Sequence, residues 1–76
     1  MKTFNIQLSS INDVKLFVNA VNKYSYDTDL TSGRYVVDAK SIMGIFSLDL
    51  SKPIKMEIFS DDCDDLMEEM KPFIIS

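Results

Sequence analysis

A chain of 76 residues, 46% apolar, with two glycines and two prolines, has material for one small core and too little flexible composition for a disordered segment. It holds no histidine and a single cysteine, which excludes an internal disulfide and an imidazole base and makes a zinc site improbable. The net charge of −4, with Lys2, Lys15, Lys23, Lys40, Lys52, Lys55 and Lys71 scattered along the chain, disfavours a nucleic-acid partner, which needs a basic face.

The first stretch, "KTFNIQL" at residues 2–8, alternates. Phe4, Ile6 and Leu8 share one side and Thr3, Asn5 and Gln7 the other, the period of a half-buried strand. Ser10, with Asp13 three residues on, resembles a capping box with Asp in place of Glu. Val14, Phe17, Val18 and Val21 then fall on one helical stripe, so a helix is predicted from Ile11 to Lys23. "YSYDTDL" at residues 24–30 alternates again, "TSGR" signals a turn at Gly33, and "YVVD" reads as the returning strand of a hairpin.

"SIMGIFSL" at residues 41–48 is nearly continuously apolar. Ser41 suits an N-cap, and a helix of about two turns fits before Asp49. After "SKP", Ile54, Met56 and Ile58 point inward from a fourth strand. "SDDCDDLMEEM" opens a last helix, with Ser60, Asp61 or Asp62 as its cap and acids at the positive end of the dipole. Cys63, Leu66, Met67 and Met70 form its apolar stripe, Lys71 and Pro72 end it, and "FIIS" is a short apolar tail. The order β-α-β-β-α-β-α, each strand with one apolar face, predicts an α+β fold. It is a two-layer sandwich with a mainly antiparallel sheet and helices on one face, a single domain over residues 1–76. No stretch is apolar enough to span a membrane and residues 1–20 are unlike a secretion signal, so a cytoplasmic protein is expected.

The chemistry open to these residues is narrow. Cys63 lies in line with buried positions among four aspartates that oppose a thiolate, so it reads as a structural cysteine. Asp61, Asp62, Asp64 and Asp65 lack the loop and terminal Glu of a calcium site and read as a solvated helix start. Two glycines eleven residues apart make no phosphate loop. No cofactor or metal is expected. Lys40 reads as a surface lysine, with a possible role in holding an anion beside Ser41. Ser41 stands out. As an N-cap its hydroxyl satisfies a free backbone N–H, worth about 1 kcal/mol. A phosphate there faces the positive end of the helix and its free N–H groups. One side of the following helix reaches the core, leaving Met43 and Phe46 exposed beside a switchable charge, as on a docking surface. From the residues alone, plain core packing is the first reading and the docking surface the second.

"KSIMGIFSL" at residues 40–48 resembles the regulatory-serine segment of the HPr phosphocarrier family of the bacterial sugar phosphotransferase system. The likeness extends to "KTF" in the first strand, "KY" ending the first helix, the glycine hairpin and the element order. It implies an open-faced sandwich with strand order 1-4-2-3. It implies phosphorylation of Ser41 by an HPr kinase/phosphorylase-like kinase. It also implies that Ser41, with Ile42, Met43 and Phe46, contacts a catabolite-control transcription regulator. The departure lies at the family's phosphoacceptor histidine. Counting back from "KY", Ser10 stands where that histidine would be and Asn12 where the loop's arginine would be, in a loop about three residues shorter. A serine forms a stable phosphoester, not the phosphoimidazole that passes phosphate onward. A histidine-less relative that keeps the serine is similar to the Crh proteins, although those keep a loop of normal length. The expected function is therefore a regulatory protein-binding module switched at Ser41, not an enzyme. The alternatives are a phosphocarrier using another acceptor, such as Ser10 or Cys63, and an unmodified interaction module of the same fold.

Overall fold

A computed structural model describes residues 1–75; Ser76, the end of the apolar tail, lies outside the described residues. Seven elements follow in order: β1 (Lys2–Ile6), α1 (Ile11–Val21), β2 (Thr28–Ser32), β3 (Tyr35–Asp38), α2 (Ile42–Phe46), β4 (Ile54–Ile58) and α3 (Asp64–Met70). The strands form one antiparallel sheet in the order β1-β4-β2-β3. The fold is thus α+β with the expected element order and strand order.

One side chain in two from each central strand enters the core. Ile54, Met56 and Ile58 of β4 and Leu30 of β2 are completely buried, as are Ile6 and Leu8 at the first strand's end. Val14, Phe17, Ala20 and Val21 of α1 and Leu66 and Met70 of α3 close over that face. The same cluster takes in Ile45 of α2 and Ala39. The opposite face carries Thr3, Asn5, Lys55, Glu57, Asp29 and Thr31, the polar half of the alternation.

Four local expectations differ from what forms. α1 ends at Val21, capped by Asn22, two residues before Lys23. β2 begins at Thr28, not Tyr24: Tyr26 donates its hydroxyl to Asp65 Oδ1 at 2.8 Å and Tyr24 to Glu69, so this segment is held by α3 rather than by the sheet. The hairpin loop is Gly33–Arg34, because Ser32 and Tyr35 already pair. Gly33 has φ 61°, the positive value a glycine-led two-residue turn requires. Cys63, not Ser60, Asp61 or Asp62, stands at the N-cap of α3, without a side-chain cap bond. Ser60 instead accepts the Asp62 N–H at 3.2 Å, one turn too early to be a cap.

The C-terminal tail is part of the structure. Phe73 packs edge-on against Phe17, centroids 5.7 Å apart, and Ile74 bridges to Ile6.

Candidate functional site

The turn from β3 into α2 builds the surface around Ser41. Asp38 Oδ1 accepts the Lys40 N–H at 2.9 Å, and Asp38 O accepts the Ser41 N–H at 3.0 Å. These bonds leave Ser41 in extended geometry (φ −97°, ψ 105°) at the N-cap of α2. Its Oγ accepts the Gly44 N–H at 3.2 Å and its carbonyl accepts the Ile45 N–H at 3.0 Å. Gly44 is closely approached: a Cβ there would lie 3.2 Å from both Ser41 Oγ and Val37 Cβ, crowding the cap. Ser47 closes the helix, its Oγ donating to Gly44 O at 2.5 Å.

α2 has five residues, shorter than two turns. Ile45 alone of it is fully buried; Ile42 is half-buried, while Met43 and Phe46 stand 76% and 40% exposed. Lys40 is half-buried, and its carbonyl accepts from Asn22 Nδ2 at 3.4 Å. Ser41 itself is exposed. Lys40, Ser41, Met43 and Phe46 therefore lie within seven residues of chain, an exposed hydroxyl and exposed apolar side chains on one short segment.

Ser10 stands immediately before α1. It caps α1, its Oγ accepting the Asp13 N–H at 3.1 Å. The Asp13 carboxylate returns to Ser9, accepting from its N–H and its Oγ, both at 3.0 Å, rather than to Ser10 as in the expected capping box. No hydrogen bond joins Ser10 Oγ to a carboxylate or amine among the described residues, so nothing there activates the hydroxyl as a nucleophile. Asn12 brings no charge.

Cys63 is fully buried and its Sγ lies 3.6 Å from Ser60 O. Burial pushes its thiol up, with Asp64 and Asp65 adding to the shift and Lys2 opposing it, so the thiol stays protonated and unreactive. The neighbouring acids are dispersed among separate partners: Asp61 takes the amino group of Met1, and Asp65 takes Tyr26.

A polar cluster that local pattern does not reveal joins the segment after α1 to α3. Glu69 accepts from Lys23 Nζ at 2.9 Å and from the Tyr24 hydroxyl. Tyr24 and Tyr26 stack, centroids 5.8 Å apart. Their hydrogen bonds to Glu69 and Asp65 push both phenols up to about 12. The Tyr24 hydroxyl, then Lys23, hold the Glu69 carboxyl below its ordinary value. The only sequence signal was the alternation of the two tyrosines, which reads equally as a strand.

The family model described as "PTS HPr component phosphorylation site" matches residues 12–75. Its match starts at Asn12, beyond Ser10. HPr-C-His from Thermoanaerobacter tengcongensis is 28% identical and superposes with a TM-score of 0.79, covering 95% of this chain and 89% of that one. Phosphocarrier protein HPr from Bacillus anthracis, 24% identical, has a TM-score of 0.74 over 97% of this chain and 96% of its own. A mycoplasma histidine-containing phosphocarrier protein, 14% identical, shares the fold with a TM-score of 0.76, covering 93% of this chain and 89% of that one. No curated protein sequence matches the chain.

Proposed function

The chain belongs to the HPr family of the phosphotransferase system, and we propose that it serves there as a regulatory binding module, switched by phosphate on Ser41. Proteins of this family are phosphocarriers rather than enzymes. This one lacks the imidazole that carries phosphate onward, since it contains no histidine, and Ser10 in its place is occupied as a helix cap. The observation that carries the reading is the exposed Ser41 hydroxyl beside the exposed Met43 and Phe46. A phosphoryl group on Ser41 adds a charge of about −1.5 to −2 next to an apolar patch. A partner that pairs the phosphate and covers Ile42, Met43 and Phe46, with Lys40 at the rim, then distinguishes the two states.

The enzyme that modifies Ser41 is an HPr kinase/phosphorylase-like kinase, and the reader is a transcription regulator of the catabolite-control type or a protein with an equivalent surface. Such partners place the protein in the cytoplasm; among the described residues no helix is long and apolar enough to cross a membrane. The module acts as a single domain.

Incubation with HPr kinase/phosphorylase and ATP, followed by peptide mass spectrometry, tests the switch. Phosphate is expected on the peptide containing Ser41, and its absence from that peptide refutes the proposal. Ser41→Asp is expected to bind the partner more tightly than Ser41→Ala. Equal binding by both favours an unmodified interaction module instead. Enzyme I with phosphoenolpyruvate should leave the protein unlabelled; labelling at Ser10 or Cys63 favours a carrier.

A further inference from the structure

The two edges of the sheet are finished differently. Along β1 the tail provides cover: Gln7 N–H donates to Phe73 O at 2.9 Å, and Ile75 N–H donates to Asn5 O at 3.0 Å. β3 has no strand beyond it among the described residues. Its register with β2, continued by the Ala39 N–H donating to Thr28 O at 3.0 Å, turns the backbone groups of Tyr35, Val37 and Ala39 inward. Those of Val36 and Asp38 therefore point out of the sheet. Among the described residues only Asp38 O is engaged, by the Ser41 N–H. The strand is short and ends in Asp38, but it has no lysine, proline or bulge against pairing, and Tyr35 and Val36 are 69% and 60% exposed.

The polar face of the sheet adds a second observation. Glu57 stands opposite Asp29, and Asp29 opposite Asp38, so three carboxylates form a row across three strands. Like charges directly opposite repel. Burial, then Asp38, Glu57 and Asp27, push the Asp29 carboxyl up. Lys55 lies 3.9 Å from Glu57, but neither Asp29 nor Asp38 has an ion-pair partner among the described residues, and neither has Arg34 at the head of the strand.

We propose that β3 is a self-pairing edge, through which two copies of this chain join antiparallel about a two-fold axis at Val36. In that register Val36 of each copy exchanges its outward N–H and C=O with Val36 of the other. Arg34 of each copy, in the loop one residue before the strand, comes alongside Asp38 of the other. A slip of two residues sets Arg34 across from Lys40 or from Val36, so charge selects the Val36-centred register. The arginine arrives at the end of the carboxylate row, where a single copy supplies no cation. A strand of four residues buries far less than a stable dimer needs, so the pair forms only at high concentration.

Sedimentation equilibrium of the full chain, from about 10 µM to about 2 mM, tests this. A monomer–dimer equilibrium that weakens with added salt is expected. Arg34→Asp and Asp38→Arg should each weaken it about tenfold, and the double exchange should restore it. Val36→Pro removes an outward N–H and no bond to β2, so it should leave a folded monomer by circular dichroism. Asp38→Arg also loses the Lys40 contact; if it does not fold, Arg34→Asp and Val36→Pro decide. A wild-type monomer across the range overturns the proposal, as does a dimer unaffected by Val36→Pro.

Discussion

Ser41 carries two roles that must be separated before any partner measurement is read. It accepts the Gly44 N–H at 3.2 Å as a cap, and that role belongs to stability. Ser41→Ala is expected to lower stability by about 1 kcal/mol in a urea titration, whereas Ser41→Asp, still able to accept the bond, should stay near the parent. A loss of similar size in both variants would show that the cap contributes little. Capping was legible at Ser10 and Ser41 because each bond spans three residues. It failed at α3, where Ser60 and the first two aspartates are good caps by type. There the helix starts where Cys63 and Leu66 can both be buried, and burial outweighs the cap preference.

Two carboxylates in different elements should titrate with opposite effect on folding. Asp29 of β2 has its carboxyl raised above 3.8, chiefly by burial and then by Asp38, Glu57 and Asp27. Its folded form binds a proton more readily than its unfolded form, so the stabilisation holds below pH 3.8 and is lost as pH rises through the folded value. Asp29→Asn should therefore raise Tm at pH 7, with the gain shrinking toward pH 3. Glu69 of α3 is held below 4.5 by the Tyr24 hydroxyl and Lys23. Its contribution is present above pH 4.5 and lost as pH falls through the folded value. Glu69→Gln should lower Tm at pH 7 and match the parent in acid. If the Asp29 and Glu69 variants shift Tm in the same direction at pH 7, these electrostatic assignments are wrong. Both effects escaped local pattern, because Tyr24 and Glu69 lie 45 positions apart and the carboxylate row exists only once three strands are in register.

Across the whole molecule the tail completes the core. Phe73 is 9% exposed and meets Phe17 edge to face, and its backbone holds the end of β1 through Gln7. Phe73→Ala is expected to cost about 3 kcal/mol, a large share of what a domain this small possesses. Chemical denaturation reads this directly; a loss under about 1 kcal/mol would mean the tail is dispensable. The sequence marked 73–76 as apolar, but an apolar tail fits many destinations, and only the β1 edge and Phe17 of α1 say where Phe73 docks.

Composition by itself excluded imidazole chemistry, and periodicity determined the number and kind of elements and the buried side of each strand and helix. These depend on neighbours within about four residues, where spacing translates directly into a shared face. The segment at 40–48 likewise carried its family likeness in local sequence, and the structure leaves Met43 and Phe46 outside the core. Tertiary structure alone decided that Tyr24 and Tyr26 leave the sheet for α3, that Cys63 begins a helix, and that three carboxylates share a row. Each of these joins groups distant in sequence, and which distant groups meet is set by strand order and register, not by the residues on either side.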